Sequence, residues 1–464
     1  MTTSERRDRV ERGLVAALQI QGRPVERHSM HDRMQRYGVP GVSLAVVDDG
    51  EISWAAGYGV TTPGGPAVHA TTLFQAASIS KAVAAIGVLA LVEHGTLDLD
   101  TDVNTYLRSW RLPDSPHTAD RPVTLRALLS HTAGTSVPGF PGYPVGAPVP
   151  SVPQLLSGVA PSNTPAVESF AAPGTVVQYS GGGSTVVQQL LEDVTGRDFP
   201  SLIADLVLHP FGMVDSAYEQ PLSAGRAGRA ARAHDATGAQ VMGGFHVYPE
   251  LQAAGLWTTA VDLARWVIGV QRILAGELGG PISPAMAQQM VVPVGDSPFG
   301  LGPELGGEGA QRRFGHSGGN EGFRSQVDGL VEVPVGAAML TNADAGTTLC
   351  AEIRRAVANE YGWGDLGPDP IAVVDVPDDV LRSYAGRYRG PFDRPMKLEF
   401  ADGELFSPAP YGRRRMLPLA PTTFLDEETG ATLEVITDQG RVQRVAVLVD
   451  GNELMSFEPV EAKS

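Results

Sequence analysis

The chain has 464 residues, 42% hydrophobic and 19% charged, with a formal net charge of −17. That length exceeds one ordinary hydrophobic core and predicts at least two domains. The acidic balance argues against nucleic acid or an anionic bilayer as partner, and the single cysteine, Cys350, excludes an intramolecular disulfide or a zinc site built on several cysteines.

The first residues, Met1-Thr2-Thr3-Ser4-Glu5-Arg6-Arg7, lead into a short apolar run over 13–20 with no small-residue cleavage site. No signal peptide or membrane span is expected, and the cytoplasm is the expected compartment. Residues up to about Arg36 read as an amphipathic, charged helical entry. Residues 41–47 and 51–58, joined by Asp48-Asp49-Gly50, read as two strands with an Asp-Gly turn.

Next comes Phe74-Gln75-Ala76-Ala77-Ser78-Ile79-Ser80-Lys81, running into an Ala- and Leu-rich stretch that stops at His94-Gly95. This predicts a buried helix. Its lysine is conspicuous, because Lys81, Lys397 and Lys463 are the only lysines in the chain. Lysine, unlike arginine, loses its proton when desolvated and then acts as a base. Ser78 lies one turn earlier on the same face, forming the S-x-x-K pattern in which Ser is an acyl-transfer nucleophile. The stretch by itself also admits a plain alternative, with Ser78 capping the helix and Lys81 snorkelling to solvent.

The run 96–104 resembles a calcium loop but lacks the glycine and the bidentate glutamate of an EF-hand, so metal binding is not expected. From 123 to 270 helical patterns dominate, including a helix over Thr124-Leu125-Arg126-Ala127-Leu128-Leu129-Ser130-His131-Thr132-Ala133-Gly134 and a capped start at Trp257-Thr258-Thr259. Within this region Tyr179-Ser180-Gly181-Gly182-Gly183-Ser184 reads as a tight strand-to-helix turn with Tyr179 at its mouth. No lysine follows the glycines, which weighs against a phosphate loop.

Phe314-Gly315-His316-Ser317-Gly318-Gly319 reads as a Gly-rich loop before a strand. It matches G-x-S-x-G, yet His316 is the last histidine of the chain, whereas an α/β-hydrolase needs its histidine after the serine. Strand patterns at 326–333 and 336–342 and a helix over 347–361 complete an α/β architecture, a sheet from both chain ends with helices between. An Asp- and Pro-rich stretch over 364–377 reads as a linker. Beyond it, short strand-like runs separated by turns such as Asp402-Gly403 and Asp450-Gly451 suggest a small antiparallel barrel or sandwich. The expected domains are 1–366 and 377–464, joined by 367–376.

Taken in order, Ser78-Ile79-Ser80-Lys81, Tyr179-Ser180-Gly181 and His316-Ser317-Gly318 resemble the three active-site motifs of the β-lactamase-like serine hydrolases. That group includes class C β-lactamases, D-aminopeptidases, D,D-peptidases and family VIII carboxylesterases. Similar flanks are Leu128 to Gly134, His209-Pro210-Phe211-Gly212-Met213 and Gly255 to Ala260. The resemblance covers roughly residues 38–361 and implies a β-lactamase/transpeptidase-like fold, an antiparallel sheet flanked by helices with a mostly helical subdomain. The tail resembles the lipocalin-like barrels appended to some of these hydrolases.

By the same resemblance Ser78 is the nucleophile, Lys81 its proton partner and Tyr179 the second member of the relay. The backbone N–H groups of Ser78 and Gly319 form the oxyanion hole, and His316, with Ser317 and Gly318, lines the cleft. Two departures matter: Gly181 replaces the Asn of Y-x-N, and His316 replaces the lysine of K-T-G. Both point away from substrates with a free carboxylate, since imidazole is mostly neutral near pH 7.

The expected function is a serine hydrolase forming an acyl-enzyme on a small ester, amide or thioester, of carboxylesterase type and without a cofactor. The alternatives are a D-amino-acid-specific peptidase or amidase, a penicillin-binding-protein-like thioesterase that cyclises peptides, and a non-catalytic ligand-binding protein using the barrel.

Overall fold

The computed structural model describes residues 2–364, 366–391, 395–409, 412–449 and 452–460. The chain divides into two compact units: Met1–Arg7, Val39–Cys350 and Tyr361–Asp365 form one, and Asp8–Gly38, Ala351–Glu360 and Leu366–Ser464 the other.

The first unit is built on a six-stranded sheet of β1 (Gly41–Asp48), β2 (Glu51–Gly59), β3 (Glu304–Gly306), β4 (Arg313–Asn320), β5 (Phe323–Leu330) and β6 (Gly336–Thr341). Their order is β2-β1-β6-β5-β4-β3, antiparallel throughout, so both ends of this unit's sequence meet in one sheet as the pattern predicts. Beneath lies α1 (Ile79–Glu93), whose Ala- and Leu-rich surface is buried from Ile79 to Leu91. A helix apolar on every side needs cover on every side. The strands β4 and β5 supply it on one side and the turn Ala204–Leu208 on another. Helix α2 (Gly181–Thr195) starts at Ser180, whose side chain accepts the Gly183 N–H at 2.8 Å. Helix α3 (Ala260–Leu274) packs on β1, β5 and β6.

Three local expectations change. The helix expected over 124–134 spans only Leu125–Leu129, because His131 takes a left-handed φ of 58° and breaks it. The stretch 314–319, expected as a loop, lies inside strand β4. The expected helical entry is Thr3–Glu11, a short strand Leu18–Ile20, then Met30–Tyr37.

The second unit holds a closed barrel of eight strands: β7 (Gly386–Arg389), β8 (Pro395–Ala401), β9 (Glu404–Ala409), β10 (Gly412–Ala420), β11 (Thr423–Asp426), β12 (Thr432–Asp438), β13 (Arg441–Val449) and β14 (Asn452–Pro459). Neighbours in sequence pair antiparallel, and β7 pairs with β14 through Tyr388–Pro459 and Arg389–Glu458. Leu381 and Tyr384 of the helix Asp378–Tyr384 join Leu398, Leu405 and Phe424 in its core. In the same unit Leu18–Ile20 pairs in parallel with Asp369–Ile371, within the stretch expected as linker. Arg33 makes a two-pronged pair with Glu352, whose Oε1 also accepts the Tyr37 hydroxyl. No helix among the described residues is long and apolar enough to cross a membrane.

One side chain ties α3 to the β5–β6 turn. Gln271 Nε2 donates to the carbonyls of Leu330 at 2.9 Å, Val335 at 2.8 Å and Val333 at 3.2 Å, and is 6% exposed. Gln271→Leu removes all three bonds, and because Val335 O and Val333 O still accept from Leu330 N and Val335 N, it is expected to cost about 0.5–1.5 kcal/mol. A shift of the urea midpoint at unchanged slope checks this; an unmoved midpoint rejects it.

Candidate active site

The site begins with a strained turn. Ala77, fully buried, has φ of 50°, a left-handed conformation that costs a residue with a Cβ about 1 kcal/mol or more. Several bonds hold it. The Ala76 N–H donates to Leu256 O at 2.9 Å, the Ser325 hydroxyl donates to Ala76 O at 2.9 Å, and the Ser80 hydroxyl donates to Ala77 O at 2.5 Å. The Tyr218 hydroxyl donates to Ser80 O at 2.6 Å. The turn delivers Ser78 to the first position before α1, half-buried, with no capping bond from its side chain.

Ser78 Oγ instead meets Lys81. The Nζ of Lys81 donates to Ser78 Oγ at 3.0 Å and to the backbone carbonyl of Ala253 at 2.7 Å. Lys81 is only 4% exposed, so it does not snorkel, and the capping alternative fails on both residues. Its ammonium also lies 4.9 Å from the centre of the Tyr179 ring. Ala253 belongs to a short helical turn, Leu251–Ala254, whose Ala254 carbonyl accepts from Asn320 Nδ2 at 3.2 Å. Glu250, which opens that turn, is fully buried; burial pushes its carboxyl up to about 8, and both oxygens lack a protein partner.

Tyr179 is half-buried in an aromatic cluster. Its ring centre lies 4.3 Å from His131, 5.8 Å from Phe299 and 6.1 Å from His316. His131 brackets Tyr179 in sequence: its carbonyl accepts the Gln178 N–H at 2.9 Å and its Nδ1 the Ser180 N–H at 3.2 Å. That fixes the imidazole proton on Nε2. Burial, with the nearby charge of Lys81, holds His131 well below the usual imidazole range and lowers His316 to about 3. His316 Nδ1 faces Ser317 O at 2.5 Å and therefore carries the proton, leaving the buried Nε2 a lone pair with no protein donor.

Strand β4 carries His316, Ser317, Gly318 and Gly319 past this cluster. Its outer neighbour β3 pairs only with Arg313, Phe314 and Gly315, so the edge beyond is unpaired within the sheet. Gly318 is a glycine for a steric reason, since a Cβ there would sit 2.2 Å from both Ala76 O and Ser325 Oγ. Ser317 and Gly319 are exposed. Gly181 is likewise constrained: a Cβ there would meet the Phe140 ring at 2.8 Å and Pro138 O at 3.2 Å. Phe140 also packs against the cluster of Tyr248, Ala253 and Ala254, which includes the turn that holds Lys81.

The structure thus brings Ser78, Lys81, Tyr179 and His316 together, with Gly181 and the strand 316–319 at the edges. Sequence reasoning passed over His131, Phe140, Phe299 and Ala253. A Ser-His-Thr cluster at the end of an apolar helix was a usable signal for His131. Ala253 acts through its carbonyl, which no residue type reveals. The acidic run near Asp98 is spent on turns, with Asp98 Oδ1 accepting from Asp100 N and Thr101 Oγ1. Among the described residues no cluster of metal-ligating side chains occurs.

Comparison with known proteins places this geometry. The chain is 30% identical over 178 residues to penicillin-binding protein 4 of Amycolatopsis lactamdurans, covering 38% of this chain and 44% of that protein. It is 27% identical over 259 residues to the unguisins hydrolase of Aspergillus violaceofuscus, covering 51% of this chain and 43% of that protein. The chain therefore spans less than half the length of these curated relatives. The octameric penicillin-binding protein homologue from Pyrococcus abyssi shares the fold, with TM-score 0.62, 20% identity, and coverage of 92% of this chain and 98% of that one. The beta-lactamase family profile matches residues 27–360, most of the chain including Ser78, Lys81, Tyr179 and His316, and the chain belongs to that family.

Proposed function

We propose that the chain is a serine hydrolase that forms an acyl-enzyme on Ser78 and acts on small esters as a carboxylesterase. The observation that carries this reading is the buried Lys81 amine held between Ser78 Oγ at 3.0 Å and Ala253 O at 2.7 Å. With Lys81 neutral the first contact reverses, the Ser78 hydroxyl donating to Nζ, and Oγ is free to attack a carbonyl. The N–H groups of Ser78 and Gly319 receive the oxyanion, where one donor is worth roughly 3–4 kcal/mol. Lys81 takes the Ser78 proton as Oγ attacks and returns it through the Tyr179 hydroxyl to the leaving alkoxide; water then attacks the acyl-Ser78 ester, its proton returning by the same groups to Ser78 Oγ as the acid leaves.

Substrate class follows from two features of the cleft. His316, lowered to about 3, is a neutral imidazole across physiological pH and offers no charge to grip a carboxylate. The Phe140 ring lies 2.8 Å from where a Cβ at position 181 would start, so an aromatic wall crowds the place of a polar amide. Both favour an uncharged substrate with an apolar acyl group over a β-lactam or a peptide acid.

Purified protein is to be offered p-nitrophenyl esters, D-aminoacyl amides, peptidyl thioesters and a penicillin, with a fluorophosphonate adduct read by intact mass. Ser78→Ala is expected to lose the adduct and about 10³-fold or more in kcat/KM. Undiminished ester hydrolysis by that variant would sink the proposal. Lys81→Arg is expected to be as inactive as Lys81→Ala, because a guanidinium keeps its proton; retained activity would show that Lys81 supplies charge alone.

Gly181→Asn alone is expected to destabilise the fold by crowding Phe140, and Phe140→Ala in the same chain to relieve it. The double variant is expected to shift the acylation ratio toward the penicillin, by about tenfold if one charged or polar hydrogen bond is regained. An unchanged ratio in the folded double variant removes Phe140 from the account of specificity.

The depressed His316 also makes a pH prediction. Below its unfolded value near 6.5 the unfolded chain takes up a proton that the folded chain refuses until about 3. Stability is therefore expected to fall as pH drops from about 6.5 toward 3, and His316→Gln to flatten that slope by up to one proton. Parallel wild-type and variant slopes in acid titrations of the unfolding midpoint would contradict it.

A further inference from the structure

Lys81 has one bond still to place. An ammonium donates three hydrogen bonds, and Ser78 Oγ and Ala253 O receive two of them. The surroundings of the nitrogen offer a place for the third. Beside the lysine lies a small cavity of about 10 Å³, lined by Lys81, His131, Ser184 and Gln252 among apolar side chains. That is room for one water and nothing larger.

Gln252 supplies the cavity with an acceptor. It is 1% exposed, its Oε1 is buried, and no protein donor reaches that oxygen. The residue is fixed from α2, where Gln188 Oε1 accepts the Gln252 N–H at 3.3 Å and Gln188 Nε2 donates to Pro249 O at 3.3 Å. Gln252 also precedes Ala253 in the turn that already receives the lysine. Ser184, one turn before Gln188 on α2, spends its proton on Ser180 O at 3.3 Å and keeps lone pairs on its Oγ. One donor and two acceptors around a cavity of this size are the partner set of a bound water, which uses roughly two to four bonds. A metal cation would meet the lysine and an anion would meet two acceptors, so water alone suits both sides.

We propose that this cavity holds one water joining Lys81 Nζ to Gln252 Oε1 and Ser184 Oγ, and that Gln252 is thereby a positioning residue for the lysine. With its third N–H held, Nζ stays aimed at Ser78 Oγ while it gains or loses a proton. The water site itself does not depend on acylation of Ser78; its effect on rate rests on that reading. The titratable groups around Lys81 are His131 and His316, both pressed toward the neutral form, Tyr179, whose ring centre is 4.9 Å away, and Glu250 at the head of the turn, its carboxyl pushed up to about 8.

A high-resolution crystal structure of the full chain is expected to show one water within hydrogen-bond reach of all three atoms. A dry cavity, or a direct bond from Nζ to Gln252 Oε1, overturns the site, and this measurement needs no variant to fold. The role of Gln252 is read from the lysine itself. Lys81, Lys397 and Lys463 are the only lysines, so carbon-13 lysine labelling gives one Cε signal for each, with Lys81→Met assigning the first. Gln252→Glu places a carboxylate where the amide was and is expected to strengthen proton binding at Lys81 by about tenfold or more. Gln252→Met removes the acceptor and is expected to move the titration midpoint the opposite way. Both are compared with the parent chain in a Glu250→Gln background, so that Glu250 does not titrate in the same range. The low-pH limb of kcat/KM for ester hydrolysis is expected to move with each midpoint. Midpoints unmoved in both folded variants overturn the role of Gln252. Midpoints that move in a chain without esterase activity uphold that role and reject the acylation chemistry instead.

Discussion

A buried lysine sets the conditions that the first unit meets. An amine in an all-apolar helix carries a desolvation penalty of several kcal/mol unless acceptors meet it. Lys81 has two, and each is delivered by structure distant in sequence. Ser78 arrives on a left-handed Ala77, which the Leu256 carbonyl, Ser80 and Ser325 help to hold. Ala253 arrives on a short turn whose next carbonyl is bound by Asn320, at the end of the strand that carries His316. Helix, turn and sheet edge thus converge on one nitrogen, and loosening any of them would leave a buried amine short of a partner.

The surroundings of that nitrogen are neutral. His131 and His316 are pressed toward the uncharged form by burial and by the lysine, and the ring of Tyr179 offers its face rather than a counter-charge. Among the described residues, Lys81 meets the Ser78 hydroxyl, the Ala253 carbonyl and the Tyr179 ring, with no ion-paired carboxylate. Phe140 adds to the same character by closing the Gly181 side with hydrocarbon.

The barrel obeys different physics. Its side chains alternate along every strand, so inner and outer surfaces are written in a two-residue period, and its apolar cluster is separate from the one around α1. Met416 and Leu433 belong to that core, and Arg414 pairs with Asp426 at 3.2 Å. Such a pair contributes little to stability on its own.

Much of this was legible in one dimension. The Asp-Gly hairpin, the returning strands, the apolar helix after Ser78 and the short strands beyond 377 are local patterns of period 2 or 3.6, which burial on one face imposes directly. The order of Ser78, Lys81, Tyr179 and His316 was readable because each is a residue type with its own chemistry. The strand 313–320 was not, because glycines carry no strand preference and earn their place by letting Ala76 pass within van der Waals reach of Gly318. Nor was the early end of the helix at Leu129, where His131 is held left-handed by bonds to Gln178 and Ser180, nearly fifty residues on. Sequence by itself determined most of the elements and the side chains of the candidate site. Only the tertiary structure decided that Lys81 meets Ala253, that Phe140 stands where position 181 has no side chain, and that both imidazoles are neutral. Those outcomes depend on which backbone atoms and how much solvent surround a group, and packing across long separations sets both.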